Sequence, residues 1–336
     1  MTHIVTPVSS ARRVFRNHKD SINEVVVFPN GGRMVTGSAD KTLRLWNLRD
    51  GVVLKKMEGH DSSVTAVGVS GNSKLIASGD GKGELIAWDG DTGEFLAAIK
   101  AHSRTIPSLD FSPDSAALAT VSLDGTIKLW RTDTWQIHGP IDVGEWIFRV
   151  RYSPSGHLAI ETEKCIQIWN TSGSECIAKL TAMSFTWTPD GTRLLLGGRN
   201  HSDPTIREWD TSTWKQVGNP WSGHTRTTST MLTLAVNPSG TLLASGFRSS
   251  IVQLWRISDR RVVAVFGHSN AVCCFSFSVD GKYILFGDAA GNITEWSVPE
   301  DALLEDKPNA QTSNVSFSFI TIPLFSSDLA AGNFAN

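Results

Sequence analysis

Tyrosine and cysteine are scarce in this 336-residue chain, with two and four residues respectively. The cysteines stand at 165, 176, 273 and 274, and none forms a CxxC pair. That excludes a zinc ribbon or thioredoxin-like redox motif and leaves a reduced cytoplasmic protein, or a nuclear one, as the simple expectation. Cys273 and Cys274 are neighbours on one expected strand, so they point to opposite faces and cannot chelate together. No run of 18 apolar residues occurs, so no membrane-spanning helix is expected. The first seven residues lack a basic stretch followed by an apolar one, so secretion is not expected. An excess of one charge is also missing: 31 Lys and Arg face 33 Asp and Glu, a formal net charge of −2. This argues against a nucleic-acid wrapper and against an acidic disordered tail. HExxH, an EF-hand loop, GxxxxGK[ST] and GxGxxG are all absent. No metal and no cofactor is therefore expected.

Tryptophan, by contrast, is abundant at twelve residues, and its placement is periodic. Trp46, Trp88, Trp130, Trp169, Trp209, Trp255 and Trp296 are separated by 42, 42, 39, 40, 46 and 41 residues. Upstream of most lies a turn sequence such as FPNGG at 28, FSPDS at 111, WTPDG at 187 or VNPSG at 236. Proline presets the first corner of such a turn, and Asp or Asn with Gly suits the later ones. A second apolar run, a tight turn, the run ending in Trp, a polar turn and a fourth run complete each period. Four short strands per period cannot bury two sheet faces alone, and a repeated sheet solves this by packing on its neighbours.

Period, strand count and Trp together resemble the WD40 family of β-propellers, over roughly residues 8–298. Asn17-His18 … Gly37-Ser38-Ala39-Asp40-Lys41-Thr42-Leu43-Arg44-Leu45-Trp46 and Ala101-His102 … Ser122-Leu123-Asp124-Gly125-Thr126-Ile127-Lys128-Leu129-Trp130 carry the likeness most fully. The resemblance implies an all-β, seven-bladed propeller of four-stranded antiparallel blades. It places residues 1–300 in the propeller, with the N-terminal segment 8–16 as the outer strand of the last blade. Residues 301–336 read as a tail, linker-like and then apolar, with Ser297–Asp301 as an exit loop.

In that family a His, a Ser or Thr, an Asp and the Trp form a buried hydrogen-bonded tetrad. Carried over, it assigns His18, Ser38, Asp40 and Trp46 to blade 1, and His102, Ser122, Asp124 and Trp130 to blade 3. Both His-to-Asp separations are 22 residues. From His60 and His268 the same step reaches Lys82 and Ala290, so complete tetrads are not expected in those blades, although Asp80 is near. A Ser, His and Asp that recur once per repeat beside a Trp mark scaffold, not a hydrolytic triad. No catalytic residue is expected. Glu208 and Glu295 precede their blade Trp where the other five blades carry apolar residues (Leu45, Ala87, Leu129, Ile168 and Leu254), and each is expected to pair with an Arg or a backbone N–H.

The resemblance further places partner contacts on the top face, at the start of each first strand and beside the turn that follows the second. Trp146, Arg199, His201, Arg226, Phe247 and Arg248, in blades 4–6, are the candidates, because Trp and Arg dominate binding hot spots. The expected function is a non-catalytic scaffold that binds a protein or peptide, acting as a monomeric propeller within a complex. The alternative is a small-molecule or enzymatic propeller using the channel mouth, with His201, Asp203 and Glu208 as the place to look. Nucleic-acid binding is disfavoured by charge.

Overall fold

The computed structural model describes residues 5–170, 175–198, 203, 205–222, 231–247 and 250–303. Among these, 29 strands form seven sheets. Blade 1 is Ile22–Val27, Arg33–Ser38, Thr42–Asn47 and Val53–Glu58, in that spatial order. Blade 2 is Val64–Val69, Leu75–Asp80, Glu84–Asp89 and Phe95–Lys100, and blade 3 is Ser108–Phe111, Ala117–Val121, Thr126–Arg131 and Ile137–Asp142. Blade 4 runs from Ile147–Tyr152 through Leu158–Thr162 and Ile166–Asn170 to Glu175–Leu180. Blade 5 runs from Ser184–Trp187 through Arg193–Gly197 and Ile206–Asp210 to the two-residue strand Lys215–Gln216. Blade 6 contains Met231–Val236, Leu242–Phe247, Ile251–Arg256 and Arg261–Gly267.

The last blade takes three strands from the end of the propeller, Val272–Phe277, Tyr283–Asp288 and Asn292–Ser297, and its outer strand, Arg13–Arg16, from the beginning. Arg13 pairs with Glu295 and Phe15 with Ile293 in antiparallel register. This pairing covers an edge that would otherwise expose a row of free N–H and C=O groups. The closing strand is shorter than the sequence suggests. Residues 8–11 do not belong to it, although Arg12 just before it already donates its N–H to Glu295 O at 2.7 Å: Thr6–Val8 forms a separate strand, parallel to the outer strand of blade 6, with Val8 opposite Phe266. Pro7 is tolerated there because an edge strand can lack one donor. The entering chain thus covers two sheet edges in succession.

The apolar core divides into seven clusters, one at each seam between adjacent blades, among the described residues. At the closing seam, Phe15 of the first segment packs with Ile22, Trp46 and Leu285, its ring edge-on to Trp46 at 5.8 Å between centroids. Near the axis the seams are tight enough to require glycine on the second strand. A Cβ on Gly79 would lie 2.6 Å from Ile106 Cγ2, and one on Gly37 would lie 2.6 Å from Val67 Cγ2. The Pro/Asp/Gly turns form as expected, for example Gly31 N–H donating to Phe28 O at 2.8 Å and Gly191 N–H to Thr188 O at 2.9 Å.

The exit segment is more ordered than a loop. Glu300–Leu303 makes one helical turn, and Val298 and Ala302 are buried in the cluster between blades 6 and 7. Apolar side chains at 298 and 302 give this segment something to bury. Residues 304–336, most of the expected tail, lie outside the described residues.

Candidate interaction face and the buried histidine networks

The tetrads form, but with a different hydroxyl. In blade 1, His18 Nδ1 lies 2.9 Å from Asp40 Oδ2 and its Nε2 lies 2.8 Å from Thr36 Oγ1, which also accepts from Trp46 Nε1 at 2.9 Å. In blade 3 the same three contacts are His102–Asp124 at 3.2 Å, His102–Thr120 at 2.8 Å and Trp130–Thr120 at 3.0 Å. Ser38 and Ser122 are therefore not the shared hydroxyl. Each instead accepts the backbone N–H of its Asp, at 3.1 and 3.0 Å, and donates to a loop carbonyl, Asp20 O or Arg104 O. Residues two apart on a strand share a face, so both hydroxyls point the same way and only distance separates their roles.

Blade 2 holds a variant that the 22-residue step hides. His60 Nε2 lies 2.7 Å from Ser78 Oγ, which accepts from Trp88 Nε1 at 2.9 Å, while Asp80, two residues earlier than Asp40 in register, faces His60 Nδ1 at 3.4 Å. Blade 6 keeps the hydroxyl at the place of Thr36, whereas blades 4 and 7 use another acceptor. Trp255 donates to Ser245, Trp296 to Thr294 and Trp169 to Gln167 Oε1, the last two acceptors lying two residues before their Trp on the same strand. Blade 5 offers neither, with Leu196 and Arg207 at those two places, and Trp209 Nε1 is buried without a partner among the described residues.

Burial pushes the His102 pKa down to about 4, against the pull of Asp124. His18 and His60 are lowered for the same reason. Burial works against the charge on Asp124, yet the Thr126 hydroxyl, the Ser103 N–H and His102 hold it down at about 2. These groups are arranged to keep a neutral imidazole beside a carboxylate, which is a structural task.

Glu208 and Glu295 are paired as expected. Glu295 accepts from Arg12 at 2.9 Å and is gripped by Arg13, so the blade 7 acid ties down the closing strand. Glu208 accepts from Arg193 at 3.2 Å and, across the seam, from Arg260 at 2.9 Å.

A second charged cluster lies on the first strands. Arg151 Nη2 of blade 4 stands 3.5 Å from Glu24 Oε1 of blade 1. Blades three places apart around a ring can meet only across its axis, so this pair bridges the central channel. Asp110 accepts the Tyr152 N–H at 2.7 Å. Burial pushes Asp110 up to about 6 and, against Arg149, Glu161 up to about 7.

On the top face the strand starts and turns are joined as the propeller geometry demands. Ala39, Gly81, Leu123 and Ala289 donate their N–H to the carbonyls of Ser21, Ser63, Thr105 and Ala271 at 2.9–3.1 Å. Between blades 2 and 3 this face dips into a shallow depression lined by Gly81, Lys82, Lys100, Ser103, Arg104, Thr105 and Leu123.

A family model described as "WD domain, G-beta repeat" matches residues 9–47, 51–89, 93–131, 214–256 and 260–297, more than half of the chain. The chain belongs to the WD40 family. The stretch from 132 to 213, which holds most of blades 4 and 5, is unmatched, and there the Trp hydrogen bond runs to a glutamine or is missing. The WD repeat-containing protein AAC3 of Dictyostelium discoideum is 24% identical over 192 residues, covering 52% of this chain and 38% of that protein. Apoptotic protease-activating factor 1 of Rattus norvegicus is 25% identical over 161 residues, covering 46% of this chain and 12% of that protein. The chain thus spans well under two thirds of either relative.

Of the expected contact residues in this WD40 propeller, Trp146 is described and is 50% exposed. Its carbonyl accepts the Glu163 N–H at 3.3 Å, and the next residue, Ile147, donates to Ser122 O at 3.3 Å, which sets Trp146 beside blade 3. Arg199, His201, Arg226 and Arg248, and the side chain of Phe247, lie outside the described residues. Asp203 and Glu208, proposed for an enzymatic site, are each held by arginine. Partial burial opposes the charge on Asp203, but the Thr205 hydroxyl and Arg207 win and lower its pKa. The basic depression was missed because Lys82 comes from a turn, Lys100 from the end of the outer strand of blade 2 and Arg104 from the loop after it, each unremarkable alone.

Two outcomes are expected. Thr120→Val should cost about 2–3 kcal/mol by orphaning His102 and Trp130, and Asp124→Ala a similar amount, against about 1 kcal/mol for Ser122→Ala. Lys82→Ala, at an exposed position, should stay within about 0.5 kcal/mol. Urea unfolding measures all four, and equal losses would contradict the network. The second outcome is a pH signature. An unfolded His takes up its proton near 6.5 while folded His102 waits until about 4. Its contribution is therefore complete above pH 6.5 and lost as the pH falls towards 4, by about 3 kcal/mol. Glu161 acts with the opposite sign: folded stability is lost as the pH rises from 4.5 to about 7. Hence the deficit of His102→Gln relative to wild type should shrink on acidification, and the advantage of Glu161→Gln should grow on the way to pH 7.

Proposed function

We propose that this propeller is a non-catalytic scaffold that recognises a protein or peptide through its top face. The observation that carries this reading is the depression at the blade 2–3 seam. Lys82, Lys100 and Arg104 line it, no carboxylate does, and Leu123 adds an apolar contact. Half-exposed Trp146 stands one blade further on. Cations around a small apolar patch with an aromatic nearby suit an acidic segment that carries a hydrophobic anchor. The partner's charge would then steer association, and the anchor would hold it. Monomeric action within a larger assembly, in cytoplasm or nucleus, belongs to the same reading. The upward-shifted Asp110 and Glu161 favour a small ligand in the channel as the second reading, but the Arg151–Glu24 pair crosses that space.

Affinity capture with mass spectrometry tests the reading, comparing wild type with Trp146→Ala, Arg104→Glu and a Trp146→Ala/Arg248→Ala pair. We expect specific partners to fall at least tenfold in the variants while their melting temperatures hold. The same partners in the same amounts would place the docking face elsewhere.

A further inference from the structure

The register of the second and third strands sets blade 2 apart from its neighbours. Where blade 1 reads Ser38-Ala39-Asp40-Lys41-Thr42 and blade 3 reads Ser122-Leu123-Asp124-Gly125-Thr126, blade 2 reads Asp80-Gly81-Lys82-Gly83-Glu84. In blades 1 and 3 the threonine that opens the third strand donates its hydroxyl to the Asp, and the N–H after the His adds a further bond. In blade 2 a glutamate stands at the threonine's place. Asp80 spends Oδ1 on the N–H groups of Lys82 and Glu84, both at 2.9 Å. Among the described residues its Oδ2 has no partner in good hydrogen-bond geometry, and neither has His60 Nδ1, the two being in ion-pair contact only with each other and, for the imidazole, Glu84. The two residues are 0% and 6% exposed, so water does not readily compensate.

These two unpartnered atoms face one another at 3.4 Å, and Glu84 Oε2 comes within 4.0 Å of His60 Nδ1. The three ligand atoms all lie within 4.8 Å of one another. Two carboxylates therefore converge on one ring nitrogen, with exposed Asp61 adding negative charge and Lys82 and Lys100 offsetting part of it. Blade 7 provides an internal comparison. It has the same shifted Asp, Asp288, but carries Asn292 in place of Glu84. Amide donors satisfy the carboxylate there: Asn270 Nδ2 reaches Asp288 Oδ2 at 2.9 Å and Asn292 Nδ2 reaches it at 3.2 Å. Blade 2 has the same backbone and no such donor.

We infer that His60 Nδ1, Asp80 and Glu84 form a binding site for a divalent transition-metal cation of the zinc type. One imidazole and two carboxylates are a ligand set that zinc accepts, and tetrahedral bonds of about 2.0–2.1 Å put ligand atoms about 3.4 Å apart. His60 and Asp80 already stand at that spacing. Ser78 holds the opposite ring nitrogen, which leaves Nδ1 for the ion and fixes the ring's orientation. Glu84, 31% exposed at the side chain, closes the set and provides the way in. A fourth position stays open to water or to a group from a partner on this face. The site has no local sequence motif, because its ligands lie on separate segments of one repeat.

The test uses the full chain, stripped with chelator and titrated with Zn²⁺ in competition with a chromogenic zinc indicator. Wild type should bind one tight equivalent, and Zn²⁺ should raise its melting temperature. Glu84→Gln, which leaves the His60–Ser78–Trp88 contacts in place, should bind at least tenfold more weakly with the metal-free melting temperature unchanged. Glu84→Thr, which copies blades 1 and 3, should lose the site in the same way. Wild type that binds no tight equivalent would overturn the assignment. So would Glu84→Gln that binds as wild type does, which would mean adventitious coordination by the cysteines or other histidines.

Discussion

A third strand left without its outer neighbour exposes hydrogen-bonding groups that water or another chain must satisfy, and the last blade of a ring has only the chain's beginning to supply that neighbour. Here the constraint is met by Arg13–Arg16, which completes the seventh blade. The arrangement joins the two ends of the propeller, so six seams depend on a seventh whose halves are far apart in sequence. Glu295 reinforces it through Arg12 and Arg13, and Phe15 fills the seam. A carboxylate in the third strand of this blade makes sense only because the closing strand brings two guanidinium groups to it.

Within each wedge the indole N–H imposes a second requirement, since it can only donate and is buried in most blades. The blades meet this to different degrees. Blades 1 and 3 have His, Asp and a threonine hydroxyl; blades 4 and 7 move the acceptor onto the Trp strand; blade 5 leaves Trp209 without one. The family match leaves the stretch from 132 to 213 uncovered. The sequence pattern decays there while the strands persist, because the strands are held by seam packing, as in the Ala159, Ile168, Phe185 and Leu194 cluster between blades 4 and 5.

Period, turn chemistry and the position of Trp made the seven sheets legible from the chain, as did the odd acids Glu208 and Glu295. What escaped shares a physical cause. On a strand, residues two apart face the same way, so Ser38 and Thr36 look equivalent in sequence while only Thr36 lies at the right distance from both rings. The same ambiguity left Asp80, visible nearby in the sequence, without a role, because it is displaced by one pleat from its counterpart in blade 1. Contacts between remote blades, such as Arg151 with Glu24, depend on ring diameter, which no local pattern encodes. The candidate face was legible in outline, as strand starts and turns, but its basic depression draws Lys82 from a turn, Lys100 from the end of an outer strand and Arg104 from the loop into blade 3.

Native-state hydrogen exchange resolved by residue reaches the closure directly. The amides of 12–16 that pair with Asn292–Ser297 should be protected to the same degree as those of the last blade and should open together with it as denaturant is added. Rapid exchange of residues 12–16 while Asn292–Ser297 stays protected would contradict a ring fastened by its own first strand.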